Sequence, residues 1–442
     1  MKEKDKCMKK ITMIFAALCM AAYTQGQEVL HLSLAECRQM ALERNENLKQ
    51  SDNKLRQAEL DKAIAFSNYL PKFDASVSGT YMFPNMEMNG MEMELHGMYF
   101  AGIMVTQPIY AGGKIMAGNK LAKIGKETAS ETLRKTRMQV IADADNAYWS
   151  LIAVNWKVRL LEAYKAQMDA LYQQTEVSVN AGMATTNDLL RITAKRSEID
   201  YQLQKAKNGA NLCRLSLCDV LGCALDTEIT PVDTVIHISA PQDLDESIAL
   251  RPELRLLESQ VDAAKEQIKV TRADILPSVA LMGSYMFYGN EKIKGFTQDA
   301  AGNNVPFTNK IDDNFGMVAL TVNIPLFHWG EGLKKIRKAK YELHNAQLDL
   351  QKNTRLLSIE ARQAVQNVTD GYNMVETARL GDEQGQENLR VMTEQYQNGL
   401  CTLTDLLDAQ TQWQQAQSNL IEAQTQYKIY ETEYLRVTGK LE

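Results

Sequence analysis

The chain has 442 residues, of which 45 % are hydrophobic and 24 % charged, with a formal net charge of −6. This composition excludes a disordered chain and a polytopic helical membrane protein, and the acidic balance argues against a nucleic-acid partner. Only nine prolines occur, none of them in 109–230 or 326–442. Proline breaks a helix interior, so blocks of this length suit very long helices rather than a loop-rich enzyme.

Residues 1–26 read as a secretory signal. Five lysines stand against Glu3 and Asp5 in Met1–Lys10, a net +3, and the apolar stretch Ile11–Tyr23 is followed by the small residues Thr24 and Gly26. The stretch is too short to span a bilayer. Its removal takes the net charge from −6 to about −9. A lipoprotein anchor at Cys19 is the rival reading, opposed by Leu18 before it and by the apolar residues that continue past it. No later stretch is apolar enough for a transmembrane helix, which leaves β-strands as the route across a membrane.

The remainder is an internal duplication, with repeats at 27–222 and 244–442. Pro108-Ile109-Tyr110-Ala111-Gly112-Gly113 matches Pro325-Leu326-Phe327-His328-Trp329-Gly330 at an offset of 217, and Asp188-Leu189-Leu190 matches Asp405-Leu406-Leu407 at the same offset. The first repeat reads as a helix over about 33–66, opened by the capping box Ser33-Leu34-Ala35-Glu36. Strands follow at about 70–83 and 98–110, then helices at 114–180 and 187–222. A linker, 223–243, holds Pro231 and Pro241 and reads as irregular. The second repeat gives helices at about 245–273, 330–397 and 404–438, with strands at 277–288 and 315–327 around a loop, Gly289–Asn314. Apolar residues recur in strict sevens, as in Leu133, Val140, Ala147, Val154, Leu161 and Met168, which means helices packed side by side as left-handed coiled coils.

The strands alternate, with Phe73, Ala75, Val77 and Gly79 set against Asp74, Ser76, Ser78 and Thr80. Their length suits a membrane β-strand, although alternation also fits a half-buried soluble sheet. The count separates the two. Four open strands in lipid leave edge N–H and C=O groups unpaired, so a membrane barrel must close from several chains.

Chemistry-bearing motifs are few. Gly113-x-x-x-x-Gly118 is followed by Asn119-Lys120 rather than a phosphate-cradling Gly-Lys-[Ser/Thr], and zinc-protease and nucleophile-elbow motifs are missing. No catalytic residue, metal site or cofactor is assigned. Cys37, Cys213, Cys218, Cys223 and Cys401 read as structural thiols, their odd number giving no complete disulfide set. The stretch Pro84–Met98 carries Met86, Met88, Met91, Met93 and Met98. Thioethers can bind Cu(I), and an exposed flexible loop is the plainer reading.

The export signal, the duplication, the Pro-x-[Tyr/Phe]-x-x-Gly junctions and Tyr396-Gln397-Asn398-Gly399 followed by Asp405-Leu406-Leu407-Asp408 together resemble the TolC family of outer-membrane efflux ducts. The resemblance implies a homotrimer in the outer membrane. Its 12-stranded β-barrel would continue as a long α-helical coiled-coil tunnel through the periplasm, with the linker near the tunnel equator. It implies a passive duct for drugs or other small molecules, fed by a periplasmic adaptor protein and an inner-membrane transporter. Protein export through a type I system and a pore-less periplasmic scaffold are the alternatives.

In the resemblance, the turns at Gly182-Met183 and Gly399-Leu400 are tunnel tips that touch the adaptor. Asp405 and Asp408, three residues apart, would form acidic rings favouring cations, although acids at a helix N-terminus are favoured by the macrodipole anyway. Tyr396 and Asp188 match a tyrosine and acidic partner that hold the tip closed. The arginine of that closure is Cys401 here, and Arg191 is a candidate to replace it.

Overall fold

The computed structural model describes residues 29–88, 91–94, 97–233, 236–298 and 303–441. The expected signal at 1–26, including Cys19, lies outside them, as do the side chains of 86–96 in the methionine-rich stretch. Among the described residues the order is β1 (Leu30–Leu32), α1 (Leu34–Arg44), α2 (Glu46–Ser67), β2 (Lys72–Thr80), β3 (Met86–Met88), β4 (Met91–Glu94), β5 (Met98–Ala111), α3 (Lys114–Asn180), α4 (Thr186–Leu221), β6 (Ile229–Pro231), α5 (Pro252–Ala273), β7 (Ser278–Gln298), β8 (Asn304–Asn323), α6 (Glu331–Gln397) and α7 (Leu403–Val437). Helices α3 and α6 have 67 residues each. The chain divides into two compact units, one made of the chain up to Asn53 with Glu131–Leu254 and Lys352 onward, the other of Lys54–Ser130 with Arg255–Gln351.

The first unit is helical. The seven-residue pattern fills its core, since Val140, Ala144, Leu151, Leu161 and Met168 of α3 are all buried. The single helix expected over 33–66 is two helices, because Asn45 stops one and starts the other. Asn45 Oδ1 accepts from the N–H groups of Asn47 (3.0 Å) and Leu48 (3.3 Å), while its amide donates to the Val220 carbonyl at 3.3 Å. The helix expected from 245 begins at Pro252, a residue suited to a first turn and restrictive of the residue before it.

Asp145 of α3 is fully buried and held on three sides. Arg38 of α1 donates to it from Nε (2.7 Å) and Nη2 (2.6 Å), and Thr432 Oγ1 of α7 donates at 2.6 Å. The linker 223–243 is pinned to the same helices. Its strand β6 pairs in parallel with β1, Tyr148 of α3 donates to Asp233 at 2.6 Å, and Tyr427 of α7 donates to the Ser239 carbonyl at 2.7 Å. Burial among these helices pushes the Cys37 thiol up to about 12.

The second unit carries the sheet. The long strands run in the order β2-β5-β7-β8, all antiparallel, with the short pair β3-β4 on the far half of β7. At Pro108 the β5–β7 register shifts and Ile109 drops out of pairing, as expected where proline removes a donor from the ladder. The loop expected over Gly289–Asn314 is instead mostly strand. After an irregularity between Tyr288 and Glu291, β7 and β8 stay paired as far as Gln298 and Asn304. Main-chain pairing needs no apolar side chains, so Lys292, Lys294, Asn309 and Lys310 continue a ladder that hydrophobicity does not mark.

The pleat puts Phe73, Val77, Ile103, Leu281, Val318 and Leu320 on one face of the sheet, and Asp74, Ser76, Ser78, Thr106, Ser284 and Thr321 on the other. The apolar face is uncovered, with Phe73 71 %, Val77 83 % and Val318 78 % exposed.

Candidate functional site

Two places are candidates for the functional site: the helical turns of the first unit and the open sheet of the second. Each turn is a Schellman motif. Gly182 at φ +73° and Gly399 at φ +70° supply the left-handed residue that ends α3 and α6. The N–H of Met183 reaches the Ser178 carbonyl at 2.8 Å, and that of Leu400 reaches Gln395 at 2.8 Å. These bonds turn Met183 and Leu400 outward, 84 % and 75 % exposed, so each turn presents one bare apolar side chain.

The next helix starts on a capping box in both repeats. Thr185 donates to Asp188 Oδ2 from Oγ1 (2.7 Å) and N (3.1 Å), and Thr402 donates to Asp405 Oδ2 from Oγ1 (2.6 Å) and N (2.9 Å). The threonine hydroxyl bond and the backbone N–H hold both carboxyls below the usual aspartate value. Asp188 and Asp405 are therefore charged and fixed at helix N-termini. Asp408 lies one turn further on and is exposed. Thr185 and Thr402 escaped the reading of the sequence, although Thr-x-x-Asp before an apolar run is the written form of a capping box.

Within one chain Tyr396 and Asp188 are not bonded, since Asp188 is committed to Thr185. Tyr396 packs instead on a cluster built from Tyr164, Met168, Leu171, Ile192, Leu403 and Leu406, which joins α3, α4 and α7. The Cys401 thiol turns back to the Met392 carbonyl at 3.5 Å. The cross-helix link is made by Arg191, whose Nη1 donates to Thr404 Oγ1. Further from the turn, Arg196 of α4 binds Asp169 of α3 at 2.6 Å and lies over the Tyr172 ring at 4.6 Å. These contacts leave the two helix pairs joined at their ends by one exposed hydrogen bond and an apolar cluster.

In the sheet, β2 pairs with β5 alone and β8 with β7 alone among the described residues. Each outer strand therefore offers a row of unpaired N–H and C=O groups beside an apolar face. Water can satisfy such an edge but lipid cannot, so the edges demand further strands wherever the apolar face meets hydrocarbon.

A family model described as "Outer membrane efflux protein" matches residues 37–216 and again 244–440. The outer membrane efflux protein BepC of Brucella suis biovar 1 is 22 % identical over 435 residues, covering 96 % of this chain and 89 % of its own length. The outer membrane protein TolC of Escherichia coli K12 is 22 % identical over 456 residues, covering 98 % and 87 %. The crystal structure of the CmeC outer membrane channel of Campylobacter jejuni shares the fold, with a TM-score of 0.77 at 19 % identity over 92 % of this chain and 85 % of that one.

Proposed function

The chain belongs to the outer membrane efflux protein family, and we propose that three copies assemble into one passive duct that takes drugs or other small molecules from a periplasmic adaptor and an inner-membrane transporter. As a member of the family it is an outer membrane channel that extends into the periplasm, and it is not an enzyme. The observation that carries the trimer is the pair of unpaired edges, β2 and β8. Four long strands per chain become twelve when β8 of one copy meets β2 of the next, and the barrel then has no edge left in lipid. Exposure of the apolar residues of β2 and β8 argues against the scaffold reading, in which the strands would bury themselves against their own helices.

The turns are the ends at which the adaptor docks, with Gly182-Met183 and Gly399-Leu400 as its contacts. The exposed Met183 and Leu400 side chains support this, being apolar, bare and fixed by the turn. Asp405 and Asp408, repeated by three copies, line the narrow end with acid, and Asp188 and Tyr396 flank it. Fixed carboxylates at close quarters favour cations and bind multivalent ones.

Planar-bilayer recording of the purified protein tests the duct. Cation-selective conductance from a detergent-stable trimer is expected, and a lipid-free monomer without conductance would end the proposal. Gene deletion separates the cargo. Increased drug susceptibility with an unchanged secreted-protein profile supports small-molecule efflux, and the reverse supports protein export.

A further inference from the structure

Helix α4 also ends in a Schellman motif, and this one brings two thiols together. Gly222 has φ +63°, its N–H reaches the Asp219 carbonyl at 3.1 Å, and the N–H of Cys223 reaches the Cys218 carbonyl at 3.0 Å. Residues five apart on a straight helix point about 140° away from each other. The left-handed glycine turns the chain back, and the motif then sets the side chains at the two ends of its longer bond against each other. Here both are cysteines. The second repeat builds the same turn without thiols. After Gly439, φ +74°, the N–H of Lys440 reaches the Leu435 carbonyl at 2.8 Å, and Leu435 and Lys440 are the counterparts of Cys218 and Cys223 at the offset of 217. The turn itself therefore does not call for cysteine at either place.

The pair sits in a fixed frame. Cys223 Sγ donates to the Cys218 carbonyl at 3.5 Å, and Cys218 Sγ donates to the Thr227 carbonyl at 3.7 Å. Arg214, one turn earlier on α4, donates from Nη1 to the carbonyls of Leu225 (2.8 Å) and Thr227 (2.7 Å), so the chain folds back over Cys218 after the turn. Cys218 is buried and Cys223 partly so. Burial, and after it the charge and hydrogen bonding of the Cys223 thiol, push the Cys218 thiol up to about 11. A direct backbone hydrogen bond between two residues keeps their Cα atoms within the roughly 4.4–6.8 Å that a disulfide spans. Cys37 and Cys213 border the same core and are the rival partners.

We propose that Cys218 and Cys223 are joined by a disulfide in the exported protein, which fastens the first residue of the linker to the end of α4. The inference rests on the periplasmic location of the helices, where thiols are oxidised, and not on the cargo or the partners of the duct. The oxidant is a periplasmic protein that carries a reactive disulfide. The Cys223 thiol gives its proton to solvent, its thiolate attacks one sulfur of that disulfide, and the other sulfur leaves as a thiolate. The Cys218 thiolate, its proton likewise lost, then attacks Cys223 Sγ in the mixed disulfide and expels the second thiolate of the oxidant. The two cysteines lose two electrons and two protons, and the disulfide of the oxidant becomes a dithiol. The exchange precedes burial, because a thiol held so high in the core yields little thiolate. Closing a loop of six contiguous residues is fast enough for that order.

The test is mass spectrometry of the full-length protein from outer membranes of acid-quenched cells. The protein is denatured in guanidinium, alkylated with iodoacetamide with or without prior reduction, and digested with trypsin. Denaturation opens every buried thiol, so a cysteine that resists alkylation is bonded rather than hidden. Trypsin leaves Cys218 and Cys223 together, without the other cysteines, on the peptide that follows Arg214. In most copies this peptide is expected to be unalkylated and lighter than its reduced form by two hydrogen atoms, and to take two alkyl groups after reduction. Cys218→Ser should leave Cys223 open to alkylation without reduction, and Cys223→Ser should do the same for Cys218. The mass of the wild-type peptide decides the matter even where a serine variant does not fold. Alkylation of both cysteines in the unreduced wild-type protein, or a bond from either to Cys37 or Cys213, would overturn the proposal. Neither result touches the duct, which the bilayer recording reads separately.

Discussion

Arg191 of α4 donates to Thr404 of α7 within a single chain, so a side chain from the first repeat holds the first turn of the matching helix in the second. The duplication does not repeat this link. At the offset of 217 the counterpart of Arg191 is Asp408 and that of Thr404 is Asn187. The cation on one helix and the acid on the other thus hold equivalent positions, and only one of them reaches across.

Arg191→Ala should loosen the narrow end. An exposed charged contact is worth about 0.5–1 kcal/mol, so three copies together bias the closed form by about 2 kcal/mol, roughly thirty-fold. Single-channel recording should show a higher resting conductance, with Arg191→Lys between the two. Identical traces for wild type and Arg191→Ala would show that this hydrogen bond does not hold the narrow end.

Asp405→Asn combined with Asp408→Asn should lower cation selectivity and weaken block by divalent cations, read as a reversal-potential shift in asymmetric salt. The capping geometry survives in part, because an asparagine carbonyl still accepts from Thr402. Unchanged selectivity would take the acids away from the aperture.

The caps give that selectivity a pH signature. Bonds from Thr402 depress the Asp405 value, so its folded value lies below its unfolded one. The cap therefore contributes at any pH above the usual aspartate value and is lost only as pH falls through the depressed one. In an Asp408→Asn background, selectivity should persist below the ordinary aspartate pKa. Thr402→Ala, which removes the hydroxyl donor, should move the loss to higher pH. Coincident titrations would show that the cap does not set the charge.

Asp145→Asn should destabilise the helical unit by about 3 kcal/mol, since it strips charge from a buried pair and leaves Arg38 without its counter-ion. Thr432→Val, which removes one donor of three, should cost about 1 kcal/mol. Denaturant unfolding of the purified protein orders the two, and equal effects would place the stabilisation elsewhere.

Gly112 and Gly113 separate backbone strain from crowding. Both have positive φ, but a Cβ at Gly112 would lie 2.8 Å from the Ala273 carbonyl while Gly113 faces open space. Alanine in the left-handed region costs about 1–2 kcal/mol at either position. Gly112→Ala should lose more trimer than Gly113→Ala on a detergent gel, because it also clashes. Equal yields would mean that the α5 end gives way.

What could be read in advance followed from strong periodicity and from chain-breaking residues. Helix α3 is legible because no proline interrupts it and Gly182 ends it. The break at Asn45 was hidden, because the side chain that makes it also bonds to the distant Val220 carbonyl. The far half of the β7–β8 hairpin was hidden for the opposite reason: pairing there rests on the main chain, and Lys292 and Lys310 carry no trace of it. In the turns, glycine and aspartate were visible, but the partner of Arg191 was not, since Thr404 lies 213 residues away.

Helices α3 and α6 share one length, and that equality constrains how such a chain can evolve. Inserting a single residue into either rod would rotate everything beyond it by about 100° and turn its buried stripe outward. Only whole heptads, gained in both rods together, would keep the seams aligned. Lineages descended from this gene should therefore vary at hairpin ends and linkers, while the rods change length in paired steps of seven or not at all.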